Sequence, residues 1–179
     1  MRKEIRFAGF GGQGIGLAGY ILGKAFALYD GLEAVMTQSY GPEARGGASS
    51  ANVVVSDAEI AYPFIQRPDV LIAFSQEAYA RFRPDVRAGG LILIDGDLVN
   101  YRPDQWHWAV PATRMADDLG HRIVANMVML GYFTAVTQFV TQRAIEEAIT
   151  SAVKPATLEL NLRAFAAGYE YADRKELAR

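Results

Sequence analysis

Apolar residues fall into two patterns along this chain: short continuous or alternating runs, and longer stretches at helical spacing. Residues 5–8 read as a short buried strand that glycines end, 33–37 as a second, and 50–55 as a third with β-branched residues at its close. The runs 68–74 and 91–95 are apolar almost throughout, which suits strands buried on both faces. Between them, Ser75 is placed to N-cap a helix through Phe82, and Ala88-Gly89-Gly90 turns the chain back. Leu17, Ile21, Leu22, Ala25 and Leu28 share one face of a helix over 15–29, closed by Asp30-Gly31. An irregular loop over 101–107 leads to a short strand at 108–110. Beyond Pro111 the spacing is helical only: 112–119, then 126–139 (apolar nearly all round), 144–153, and a last helix opened by Pro155 that reaches about Asp173. Alternating strands and helices followed by helices alone predict a three-layer α/β/α domain. Its sheet is mostly parallel or mixed, and the C-terminal helices cover it.

The chain has 179 residues, no linker and no repeat, so residues 1–179 are read as a single domain. Hydrophobic residues make up 51%, a mild excess that hints at surface buried against a partner. Net charge is −2 and no run of Lys or Arg exceeds two, so the basic face that nucleic acid or an anionic membrane requires is missing. Cysteine is absent, leaving no thiolate to hold an iron–sulfur cluster. Residues 1–4 lead directly into a strand and no stretch reaches spanning length, so a cytoplasmic chain is expected.

Two glycine-rich loops stand where strands end, the edge at which open α/β sheets hold ligands. The first contains Gly9, Gly11, Gly12, Gln13 and Gly14. Gly9, Gly11 and Gly14 match the G-x-G-x-x-G spacing that brings backbone amides to a pyrophosphate at a helix N-terminus; small residues that merely let a helix pack on a strand give the same spacing. A NAD site further requires Asp or Glu at the end of the second strand, yet this one ends Val35-Met36-Thr37-Gln38. Asp30 and Glu33 lie before that strand, at its wrong end. The second loop, Gln38-Ser39-Tyr40-Gly41-Pro42-Glu43-Ala44-Arg45-Gly46-Gly47, sets a guanidinium beside exposed amides, which suits a phosphate or a carboxylate. Its plainer reading is a surface pair of Arg45 with Glu43 or with an acid of a partner.

Three stretches carry a family resemblance: Gly11-Gly12-Gln13-Gly14, the second loop from Gln38 to Gly47, and Asn126-Met127-Val128-Met129-Leu130-Gly131. They closely resemble the gamma subunit of 2-oxoacid:ferredoxin oxidoreductases, and the likeness extends to Asn161-Leu162-Arg163-Ala164-Phe165 in the closing helix. The wording of the second loop is similar to the 2-oxoglutarate branch; pyruvate, branched-chain, indolepyruvate or phenylglyoxylate enzymes are the alternatives. One departure is the stretch Ala48-Ser49-Ser50-Ala51-Asn52, where the family pattern leads one to expect a basic residue.

The resemblance implies oxidative decarboxylation of a 2-oxoacid with coenzyme A (CoA), yielding an acyl-CoA, carbon dioxide and electrons for ferredoxin. It places thiamine diphosphate, Mg and the iron–sulfur clusters in alpha, beta and ferredoxin-like delta subunits. This chain is then expected to carry no catalytic residue and to help hold CoA. The implied contacts are Gly11, Gly12, Gln13, Gly14, Gln38, Tyr40, Gly41, Arg45, Gly46 and Gly47. Ser75 and Gln76 follow a buried strand at the same edge. Asp95-Gly96-Asp97 superficially resembles a thiamine-diphosphate metal motif without its usual opening, so Asp95 is read as a strand end and Asp97 as a turn residue. His107 is expected to pack in a surface loop and His121 to mark a helix end. A self-contained Rossmann-like nucleotide-binding enzyme is the rival reading.

Overall fold

The computed structural model describes residues 1–40, 48–101 and 107–176. Six strands form one sheet: β1 (Arg2–Phe10), β2 (Glu33–Tyr40), β3 (Ala48–Ser56), β4 (Val70–Ala73), β5 (Leu91–Asp95) and β6 (His107–Val110). Their spatial order is β2-β3-β1-β4-β5-β6. β1, β4, β5 and β6 pair in parallel, whereas β3 runs antiparallel to both β1 and β2. The sheet is therefore mixed. The register Gly9↔Ser49↔Tyr40 brings the ends of β1 and β2 to the same edge, one on either side of the start of β3.

Helices cover the two faces unequally. Five pack on one face: α1 (Ile15–Lys24), α3 (Ala112–Asp118), α4 (Ala125–Thr137), α5 (Gln142–Ala152) and α6 (Pro155–Glu176). Ile5, Phe7, Val53, Val55 and Ile72 point into that layer, as alternation along a strand requires. The other face holds a smaller cluster of Ala8, Leu71, Ala73, Ile92 and Ile94 under α2 (Gln76–Phe82). The three layers are present, and they are lopsided.

Local chemistry explains most of the boundaries. The Ser75 hydroxyl accepts from the Ala78 amide at 3.1 Å and caps α2, as its position in the sequence predicts. Gln76 accepts the Asn100 amide with its Oε1 at 2.7 Å and ties down the loop after β5. The predicted helix over 15–29 changes type part-way, since Ala25–Tyr29 continues α1 as a π-helix before Gly31 takes φ +69°. The helix predicted over 126–139 ends at Thr137 because Gln138 adopts the left-handed conformation, φ +51°. His107 is not in a surface loop. It begins β6, is buried, and its Nε2 lies 2.8 Å from the Tyr79 hydroxyl, because the strand starts before Trp108.

α4 is buried on nearly every side, which explains its lack of a polar face: Met127, Met129, Leu130, Tyr132 and Phe133 are all core. It crosses α6 where two glycines meet. A Cβ on Gly131 would run into the Phe165 carbonyl oxygen, and one on Gly168 into that of Val128. Only glycine at both positions lets these backbones touch.

Candidate functional site

The first glycine loop is held by two side-chain carboxamides. Gly12 and Gly14 have φ of +92° and +73°, conformations that glycine adopts without strain. Gln13 folds back over the space left by the missing side chain of Gly9. Its Oε1 accepts the Phe10 amide at 2.7 Å and its Nε2 donates to the Phe74 carbonyl at 3.0 Å, joining the ends of β1 and β4. Asn126, in the first turn of α4, packs against Gly14 where a Cβ would stand. It donates from Nδ2 to the Gly14 carbonyl at 3.2 Å, while its Oδ1 accepts the Met127 amide at 2.8 Å. α1 thus starts from a fixed loop, and no side chain caps its N-terminus.

That N-terminus opens onto a cleft of about 570 Å³. Gly11, Gly12, Gly14 and Ile15 form one wall, Tyr40 and Ser49 the sheet edge, and Ile123 and Val124 a second wall. The third wall is the α5–α6 turn with the start of α6, including Lys154, Thr157, Leu160 and Asn161. This turn is fastened to the helix that the glycine loop begins: Lys24 Nζ donates to the Ser151 carbonyl at 3.4 Å, and the Tyr29 and Ser151 hydroxyls are 3.1 Å apart. Asp30 also fixes the N-terminus of α5, its carboxylate accepting the Thr141 amide at 2.9 Å and hydroxyl at 2.7 Å. Asp30 is therefore a structural clasp.

A smaller crevice of about 370 Å³ lies on the other side of Gly12 and Ile123, beyond the ends of β1, β4 and β5. Asp95 is its fully buried acid. The carboxylate accepts the Thr113 amide (3.1 Å), the Thr113 hydroxyl (2.6 Å) and the Asp97 amide (3.1 Å), so β5 is stitched to α3. Burial pushes its pKa above the ordinary 3.8, against the hydrogen bonds from Thr113 and Asp97, which pull it down. Asp97 accepts the Arg114 amide and guanidinium at 2.9 and 3.0 Å. Both carboxylates are occupied by the fold. The Asp95-Gly96-Asp97 tract therefore does not fit a thiamine-diphosphate metal site.

A family model described as pyruvate ferredoxin/flavodoxin oxidoreductase matches residues 4–171, almost the whole chain. The chain belongs to the pyruvate ferredoxin/flavodoxin oxidoreductase family. Among its relatives is the 2-oxoglutarate synthase subunit KorC of Methanothermobacter marburgensis, 54% identical over 179 residues, with 95% of this chain and 96% of that protein covered. The keto/oxoacid ferredoxin oxidoreductase gamma subunit of Geobacter sulfurreducens superposes with a TM-score of 0.87 at 43% identity, covering 96% of this chain and 97% of the other. The 2-oxoglutarate:ferredoxin oxidoreductase of Magnetococcus marinus, solved with 2-oxoglutarate, coenzyme A and succinyl-CoA bound, superposes with a TM-score of 0.86 at 25% identity. There, 97% of this chain matches 31% of a longer one.

Within this family fold, the expected contacts divide into three groups. Gly11, Gly12, Gly14 and Tyr40 come together on the cleft, with Tyr40 72% exposed at its rim. Gln13 and Gln38 stand beside it and bond within the chain. Gln13 staples the loop, and Gln38 lies over Gly16 and accepts the Tyr40 hydroxyl. Gly41, Arg45, Gly46 and Gly47 lie outside the described residues. His121 follows α3, as a helix-end residue should, and lines the cleft. Ser49, Asn126, Lys154 and Asn161 were not predicted as site residues. A signal was available for two of them: Asn126 is a polar residue interrupting an apolar helix face, and Lys154 directly precedes the Pro155 that opens α6.

Proposed function

We propose that this chain is the gamma subunit of a multi-subunit 2-oxoglutarate:ferredoxin oxidoreductase and that its cleft helps hold CoA. The reaction is 2-oxoglutarate, CoA and oxidised ferredoxin to succinyl-CoA, carbon dioxide and reduced ferredoxin. The observation that carries the CoA reading is the uncapped N-terminus of α1. It opens onto a cleft of about 570 Å³, on the loop that Gln13 and Asn126 fix. Amides at a helix N-terminus favour an anion, here the diphosphate, without any movement of the loop. Arg45 supplies a cation for a further phosphate, and Lys154 on the α5–α6 turn makes no ion pair with any described residue.

The chain contributes no catalytic group in this reading. Without cysteine it has no thiolate ligand for a cluster, and Asp95 and Asp97 are engaged with Thr113 and Arg114. Thiamine diphosphate with its Mg ion, bound by the alpha and beta subunits, supplies the carbanion chemistry. A ferredoxin-like delta subunit carries clusters, and ferredoxin accepts the electrons. A cytoplasmic complex agrees with the absence, among the described residues, of any helix long and apolar enough to cross a membrane. The rival NAD reading has no acid at the end of β2, and Asp30 is committed to Thr141.

The test uses the assembled enzyme with a viologen dye as acceptor. Arg45→Ala is expected to raise KM for CoA about 10- to 100-fold, the loss of one charge-assisted contact, with KM for 2-oxoglutarate unchanged. Unchanged CoA affinity and turnover would remove Arg45 from the site. An activity screen across 2-oxoacids tests the substrate, and intact mass of the native assembly tests the partners.

A further inference from the structure

We propose that β2 is an interface strand. It pairs antiparallel with β2 of a second copy of this chain, joining two sheets into one and closing α1 against its counterpart. The two edges of the sheet are built differently. β6 is four residues long, a short edge of the kind that keeps a sheet from recruiting other strands. β2 has eight residues, and its ladder with β3 runs without a bulge from Glu33↔Ser56 to Tyr40↔Ser49. It contains no proline or lysine, and no described strand lies on its outer side. Every residue from Glu33 to Tyr40 is half-buried or exposed. Alternate N–H and C=O groups of this strand therefore face outward, a template for one more strand.

The helix beside that edge is apolar on its outer flank. Gly16 lies against Gln38, and Gly19 and Gly23 against Met36, so α1 descends along β2 on its small residues. Ile15, Ala18, Ile21 and Leu22 are buried. Leu17, Tyr20 and Leu28 are not: they are 38%, 50% and 66% exposed and follow one side of the helix and its π-helical end. A helix that covers a sheet and faces water normally turns charge outward. This one carries no charge from Ile15 to Gly23, and Lys24 reaches back over the Tyr20 ring, 5.8 Å from its centre. Part of the apolar excess in the composition is concentrated on this flank.

The flank's own symmetry selects the occupant. Residues directly opposite in an antiparallel pair share a sheet face. A two-fold axis through the middle of β2 therefore sets both α1 helices on one side of the joined sheet, with their apolar stripes turned toward each other. Glu33 is the one charged residue of β2, and Lys24 sits toward the same end of the flank. The axis carries each of them to the far end of the contact in the second copy. The two Glu33 carboxylates then stand roughly 24 Å apart along the strands, well beyond the Debye length. Like charges do not meet, and the outward main-chain groups of each copy find partners in the other. The contact is independent of the CoA reading.

The chain has no cysteine, so a single introduced thiol reports on this contact. The assembled enzyme carrying Thr37→Cys is treated with a short bis-maleimide and run on a denaturing gel. A band at twice the chain mass is expected, at a yield that dilution does not change. Val35→Cys, on the same sheet face, takes its place if the first variant assembles poorly. Adding Val35→Lys to Thr37→Cys, or Thr37→Lys to Val35→Cys, charges the centre of the contact and should lower the yield about tenfold or more. Tyr20→Asp should lower it too, because the helix stripes meet above the strands. No band at twice the chain mass, a band joining this chain only to a different subunit, or an equal yield from Asp118→Cys on α3 overturns the assignment.

Discussion

The two clefts beside the glycine loop share Gly12 and Ile123 as a dividing ridge, yet they treat their polar groups in opposite ways. In the smaller crevice, at the point where strand order reverses and a ligand would ordinarily be sought, every described carboxylate and carboxamide is satisfied internally. Asp95 is closed by Thr113 and Asp97, and Gln13 spans Phe10 and Phe74. In the larger cleft, Ser49 and Asn161 are enclosed without complete partnering, and Lys154 makes no ion pair with a described residue. The difference separates construction from recognition. Hydrogen bonds closed within the chain fix the ridge, and those left open face the other way.

The strongest way to break the contrast is to displace the wall that only the larger cleft possesses. Gly131→Val drives a side chain into the Phe165 carbonyl and should separate α4 from α6. The expected loss exceeds about 3 kcal/mol, read as a fall of roughly 10 °C in a thermal scan. Next comes the closed crevice. Asp95→Asn removes an acceptor from Thr113 and Asp97 and should cost about 2 kcal/mol in chemical denaturation, with KM for CoA unchanged. A rise in KM for CoA would show that the crevice, too, touches the ligand.

Asp95 also carries a pH signature. Its folded pKa is raised, so the folded chain holds this proton more tightly than the unfolded chain does. Its contribution is greatest below the unfolded value near 3.8 and is lost as pH rises through the higher folded value. Subtracting the Asp95→Asn stability profile from that of the wild type should therefore leave a difference that declines between acid and mildly acidic pH and is flat at neutrality. The smallest effect belongs to Arg122, which lines the crevice but pairs with Asp117 in full solvent. Arg122→Ala should leave both the melting temperature and KM for CoA where they were.

Much of this arrangement was legible beforehand. β4 and β5 are continuous apolar runs, Ser75 caps as its hydroxyl allows, and Gly31 and Gly120 end helices in left-handed conformations. The antiparallel course of β3 was legible in principle, since the gap between Tyr40 and Ala48 is too short for a parallel crossover. The π-helical end of α1 and the left-handed Gln138 were not, because packing against neighbouring helices, rather than local preference, sets them. His107 misled because a loop-like neighbourhood hides a buried partner, Tyr79, distant in sequence. Of the site, the glycines and Tyr40 could be read from loop chemistry. Ser49 and Asn161 could not, because what marks them is an enclosed group with an open valence, and enclosure is a property of the folded chain.

The reversed strand acts as a spacer gauge. Were β2 hydrogen-bonded directly to β1, their ends would stand one inter-strand step apart, about 4.8 Å. Inserting β3 doubles the step to roughly 10 Å and keeps both strand ends at one edge of the sheet. The width of the gap is then dictated by main-chain pairing and is indifferent to the side chains that line it. Side chains there can be exchanged while the spacing of the two strand ends stays the same.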